Sequence, residues 1–296
     1  MKPVICAYVP PPKLPYAEPF LRNIRKHKTK NDLLLFSEHD WPDVKRLQGT
    51  PEILKNEKDR HNRDKAWTMA NLIFYTGIDM AVRAGYTHAI YVEADSRVKG
   101  DGWDARIFDE FFGLPMPAII GGSMVIHNPA TSGIVGLRRW DDTVRRNKRR
   151  NFPIPTFGDC GGCEKKDSCV FVYGSGMVID LAWWSKLFAQ EERDHDVQSI
   201  PQVHQFGMTS RLPRSPAIPP ENGFWPVKLA RNSRPFDVEL GVRIWNLFGP
   251  DAYDVIANLT TIFSSYGDLL TSEDQRLSML SDGANLVHQV KSAVEV

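Results

Sequence analysis

The chain has no apolar run approaching the roughly 18 residues that a membrane-spanning helix needs. Its first apolar run, residues 4–9, stops at Pro10-Pro11-Pro12, too short for a secretory signal core. The expectation is a soluble, cytoplasmic protein without export and with no membrane span. An excess of charge of one sign is missing too: Lys plus Arg number 37 against 36 for Asp plus Glu, a formal net charge of +1 over 296 residues. No global field therefore calls for a polyanionic partner, and any nucleic-acid role must rest on a local patch. Cysteine is scarce. Cys6 stands alone and Cys160, Cys163 and Cys169 crowd together, which is not the layout of a secreted disulfide framework. In such a chain the glycosylation-like triplet Asn258-Leu259-Thr260 carries no weight. Internal repeats and low-complexity tracts are absent as well.

What is present is enough apolar residue, 42%, to bury a sizeable core, at a length that suits one large α/β domain or two joined halves. Residues 4–9 read as a buried strand closed by prolines, residues 17–28 as a helix with the stripe Phe20, Leu21, Ile24, and Asp32–Ser37 as a second buried strand. This βαβ opening implies a parallel sheet. A long helix starts near Asn62 or Asp64 and ends at Gly85, and residues 87–92 form the next strand. That strand runs into Glu93-Ala94-Asp95-Ser96, and open α/β sheets bind ligands just past the carboxyl ends of their strands. A helix over 103–112 and a strand over 118–126, bent at Gly121-Gly122, follow. After the cysteines come a strand at 170–173, a tight turn at Gly174-Ser175-Gly176, an apolar run at 177–179 and a helix through Trp183, Trp184, Leu187 and Phe188. Residues 201–235 are proline-rich and aperiodic, hence a loop region, and 237–247 read as a helix.

Glu93 and Asp95 both reach a metal if the chain turns after its strand, although an acid-x-acid triplet alone is equally a solvated turn. Around that triplet the chain resembles the GT-A family of nucleotide-sugar-dependent glycosyltransferases. In those proteins a long helix precedes a strand ending in a DxD motif, and a late histidine often completes the metal shell. The segment from Asn62 to Asn71 is similar to the family's helix entry beside the nucleotide, and Tyr91-Val92-Glu93-Ala94-Asp95 to its DxD strand. His288 with Lys291 resembles its C-terminal metal ligand and pyrophosphate-binding cation. The resemblance implies a Rossmann-like, mostly parallel central sheet flanked by helices in one large domain. A nucleotide-sugar-binding half at 1–130 and an acceptor-binding half at 131–296 follow from it. It also implies Mn²⁺ or Mg²⁺ as cofactor and a UDP-sugar or other nucleotide diphosphate sugar as donor. Glu in place of the first Asp makes Asp95 the stronger metal ligand and Glu93 a ribose or outer contact.

Tyr8, Pro10, Arg63, Asp64, Lys65, Glu93, Ala94, Asp95, Lys291 and the backbone-exposing Gly174, Ser175 and Gly176 are then the donor-site candidates. Asp237 and Glu239, at a helix start, are the candidates for a base that takes the acceptor proton if the reaction inverts configuration. Acids also favour helix N-termini for ordinary reasons. In the loop 157–170, Cys160-x2-Cys163-x5-Cys169 is compatible with structural zinc, with His127, His195, His204 or Asp159 as a fourth ligand, but also with a redox pair or unliganded thiols. The basic stretch 138–150, with Trp140, is either a solvated helical face or a contact to a DNA acceptor, for example a hydroxylated modified base. Two other classes stay open. A nucleotidyltransferase should carry a Gly-rich loop ending in Arg or Lys where this chain has prolines, and a non-catalytic nucleotide-sugar-binding module is compatible with Glu93.

Overall fold

The computed structural model describes residues 1–51, 63–114, 117–128, 133–136, 169–188, 223–225, 236–248, 254–263, 273–288 and 290–292. Its centre is β1 (Pro3–Tyr8), in which Val4, Ile5, Cys6 and Ala7 are fully buried. A strand covered on both faces cannot alternate polar with apolar residues, which is why the segment reads as a continuous apolar run. It pairs in parallel with β2 (Asp32–Ser37) on one side and β4 (His88–Val92) on the other, and β3 (Lys45–Arg46) extends β2 in parallel. Helices α1 (Ala17–Lys26) and α2 (Arg63–Arg83) lie between these strands in the chain. The expected α/β class and the βαβ opening are therefore observed.

β6 (Ile120–Asn128), β7 (Gly133–Gly136), β8 (Cys169–Asp180) and β9 (Ile256–Asn258) complete an eight-stranded sheet ordered β3-β2-β1-β4-β8-β6-β7, with β9 on β6. Four pairings are parallel, while β8 runs against β4 and β6, and β7 against β6. The mostly parallel sheet thus has an antiparallel insertion beside its central strands. Gly174-Ser175-Gly176 corrects one expectation: these residues do not turn the chain but lie inside β8. Between the pairs Gly121–Val178 and Ser123–Tyr173 the ladder advances two residues on β6 and five on β8, so the glycine segment bulges out of the strand.

Alternation along the strands sorts the core into two layers. Val4, Cys6, Tyr8 and Tyr91 face α2 residues such as Leu72, Phe74 and Ile78, together with Leu240 and Ile244 of α5 (Phe236–Phe248) and Leu187 of α4 (Trp184–Phe188). Ile5, Ala7, Ile90 and Val92 face Phe20 and Ile24 of α1 and Ile107 and Phe111 of α3 (Trp103–Phe112). Phe74 locks the first layer, stacked on Phe236 at 4.2 Å and edge-on to Tyr91 at 4.9 Å. Truncating such a ring to alanine costs about 3–5 kcal/mol. Cys6 is a core residue whose thiol is pushed up by burial, far from the reactive range.

A second sheet is small but decisive for the site. β5 (Arg97–Val98) pairs antiparallel with β11 (Leu286–Val287), which pairs in parallel with β10 (Ile262–Phe263); α6 (Glu273–Ser281) precedes β11. No helix among the described residues is long and apolar enough to cross a membrane.

Candidate metal centre at the end of β4

Past Val92 the backbone turns, with Ser96 N donating to the Glu93 carbonyl at 3.0 Å. The bulge of β8 braces this turn. Glu93 N donates to Ser175 Oγ at 2.9 Å, and the hydroxyls of Ser96 and Ser175, both fully buried, lie 2.6 Å apart. Immediately after the turn, β5 registers against β11 with Arg97 opposite Val287, so the next residue on the returning chain, His288, is set against the acidic turn. Val290 N seals the junction by donating to the Asp95 carbonyl at 2.7 Å. Two residues some 190 positions apart are thereby forced together by a two-residue pairing.

His288 Nε2 lies 2.7 Å from Glu93 Oε2 and 3.0 Å from Asp95 Oδ1. The three side chains offer one ligand atom each, all within 4.8 Å of one another. Donors about 2.1 Å from a common hard cation stand ~3.0 Å apart at adjacent octahedral positions, so the spacing fits Mg²⁺ or Mn²⁺. The two carboxylates suit either ion, and a neutral imidazole suits Mn²⁺ better than Mg²⁺. Gly174 leaves room for them: its φ is +31°, and a Cβ there would sit 3.1 Å from Glu93 Oε2 and 3.7 Å from His288 Cε1.

Without a cation the imidazole offsets part of the carboxylate charge. Burial opposes charge on His288, but Asp95 and Glu93 raise its imidazole to about 10. Burial likewise opposes ionisation of Asp95, yet the His288 charge and hydrogen bond, with the Lys291 ammonium, hold its carboxyl below the usual range. Glu93 therefore stands with Asp95 and His288 in one cluster that could hold a metal ion. The longer side chain of Glu93 brings its carboxylate to the same imidazole as that of Asp95.

The remaining candidates divide. Lys291 is exposed and close enough for its charge to act on Asp95. Tyr8 is buried, and its hydroxyl donates to Glu38 Oε1 at 2.8 Å. Pro10 accepts from Trp41 Nε1, and Ala94 packs against the second core layer. The backbone of Arg63, Asp64 and Lys65 opens α2; their side chains lie outside the described residues. Glu239 is fully buried and bound to Arg243 at 2.7 Å, so it is not available as a base, which leaves Asp237 at the start of α5. Cys160, Cys163, Asp159, His195, His204 and the stretch 138–150 lie outside the described residues. Cys169 is the first residue of β8, in register with His127 of β6.

Glu38 went unnoticed in the sequence, although an acid directly after β2 obeys the strand-end rule that singled out Glu93. It is buried, Oε2 has no hydrogen-bond partner, and it lines a cavity of about 380 Å³ with Arg46, Leu47, Gln48, Gly49 and Thr50. Compared with known proteins, the chain matches no family model and no curated protein.

Proposed function

We propose that the chain is a metal-dependent glycosyltransferase of the GT-A kind, transferring a sugar from a nucleotide diphosphate donor to an acceptor hydroxyl. One observation carries the reading: Glu93, Asp95 and His288 converge at the carboxyl end of a central parallel strand. A divalent cation held there would supply positive charge to a departing diphosphate. Lys291 adds a second cation at the same edge, where its ammonium meets phosphate oxygens.

The ends of β1 and β2 give the nucleoside a place on this reading. Tyr8 positions Glu38 through their hydrogen bond, and Glu38 lines a cavity whose volume would admit a ring with N–H donors. In the acceptor half, Asp237 is the base candidate, because Glu239 is neutralised inside its helix.

The test is nucleoside diphosphate release from a panel of nucleotide sugars with Mn²⁺ or Mg²⁺ and a mixed set of hydroxyl acceptors, including hydroxylated DNA. Turnover with at least one donor, lost in Asp95→Ala, supports transfer. Consumption of a nucleoside triphosphate with a sugar phosphate would replace the proposal with nucleotidyl transfer. Donor binding without turnover on any acceptor would reduce it to a binding module.

A further inference from the structure

The segment that delivers His288 leaves the sheet almost at once, because β11 has only two residues. Past it, the backbone polar groups of Val290, Lys291 and Ser292 must find partners outside a ladder. Beyond the Val290–Asp95 bond, two charged side chains supply them. The amides of Lys291 and Ser292 both donate to the carboxylate of Glu273, the Ser292 amide at 2.8 Å from Oε1 and 3.2 Å from Oε2. On the other side, Arg97 Nη2 donates to the Ser292 carbonyl at 2.9 Å, while Nη1 donates to the Ser96 carbonyl at 2.9 Å. One fully buried guanidinium thus joins the acidic turn to the histidine segment. Burying that charge is expensive, and Asp95 and Glu273 partly offset the cost electrostatically.

We infer that Glu273 and Arg97 are positioning residues of the metal centre, a two-sided clamp on Lys291 and Ser292 that keeps His288 within reach of the cation. The inference rests on the metal reading of Glu93, Asp95 and His288. Neither clamp residue is among the three ligands. Both act through backbone groups three and four residues beyond His288, and metal sites lose affinity when ligands are held too loosely.

The test compares Glu273→Ala, Glu273→Gln and Arg97→Lys with the wild-type chain. Free Mn²⁺ is titrated by electron paramagnetic resonance, and amide hydrogen exchange at 290–292 and the unfolding midpoint are read on the metal-free proteins. Glu273→Ala should weaken Mn²⁺ binding about 10- to 100-fold and speed exchange at those amides, with the rest of the exchange map unchanged. Glu273→Gln keeps an acceptor oxygen and Arg97→Lys keeps a cationic donor, so each should lose less. In a His288→Ala background, Glu273→Ala should cost no further affinity, because the clamp then has no ligand to place. A wild-type chain that takes up no Mn²⁺ overturns the metal reading on which the clamp rests. Wild-type uptake with unchanged affinity in Glu273→Ala overturns the clamp alone, as does an affinity loss that persists without His288.

Discussion

Two acid-x-acid triplets in this chain are nearly interchangeable on paper, Glu93-Ala94-Asp95 and Asp237-Val238-Glu239, and the fold treats them oppositely. On α5, positions two apart point about 200° away from each other around the axis, so the two carboxylates cannot share a ligand. Glu239 turns inward and is cancelled one helical turn later by Arg243, which also donates to the Leu187 carbonyl at 2.8 Å. At the end of β4 the backbone turns, both carboxylates converge, and what faces them is an imidazole able to surrender its proton. A permanent guanidinium makes an acid structural, whereas a titratable partner leaves it available to a cation.

The largest effects should separate the triplets. Asp95→Ala should lower Mn²⁺ affinity on the order of a hundredfold or more while the protein stays folded. Glu239→Ala should do the reverse, costing about 3–5 kcal/mol of stability by stranding Arg243 in the core, with metal affinity unchanged in the folded fraction. Urea unfolding and Mn²⁺ titration on both variants decide the matter. Equal losses of affinity in the two would dissolve the distinction.

How far this contrast was legible depended on chain length per element. β1, β2, β4, α1 and α2 each contain enough residues to show a period or a sustained apolar run, and the strand-end position of Glu93 and Asp95 follows from them. β5, β10 and β11 contain two residues each, which carry no period, so the pairing that brings His288 to Asp95 could not be read; only a family resemblance pointed to that histidine. The Gly174-Ser175-Gly176 segment looks like a turn because glycines usually punctuate, and becomes a bulge because β6 pairs with β8 on both sides of it while β4 takes up the strand from Met177 onward. Arg97 and Glu273 hold backbone groups some 195 and 19 positions away, and such contacts leave no mark on local sequence.

The titratable partner gives the second prediction of opposite signs. In the metal-free protein His288 titrates at about 10, above its ordinary 6.5. Its contribution to stability is therefore fully present below pH 6.5 and is lost as pH rises through about 10. Asp95 acts at the other end: its folded value lies below 3.8, so its contribution is present above pH 3.8 and disappears on acidification. Metal uptake must displace the imidazole proton, so Mg²⁺ affinity should climb with pH over the window in which apo stability falls, by about tenfold per unit. Unfolding and Mg²⁺ titrations between pH 6.5 and 10 check both slopes. A His288→Ala chain should lose them together.

The smallest effects concern the bulge that braces the acidic turn, and two of its glycines divide the labour. Gly174 has φ +31°, and an added methyl would crowd Glu93 Oε2, whereas Gly176 has φ +85° and its methyl would meet Ile262 Cγ2 at 2.7 Å. An L-residue in left-handed backbone costs about 1–2 kcal/mol in either place. Gly174→Ala should add a severalfold loss of Mn²⁺ affinity, because the carboxylate it displaces is a ligand. Gly176→Ala should instead add to the stability loss, because Ile262 lies in the core and on β10, which supports β11. Measuring affinity and unfolding free energy on both variants resolves the roles. If Gly174→Ala lowers stability alone, the missing side chain serves the strand's bend, and the space beside Glu93 was not kept open for a cation.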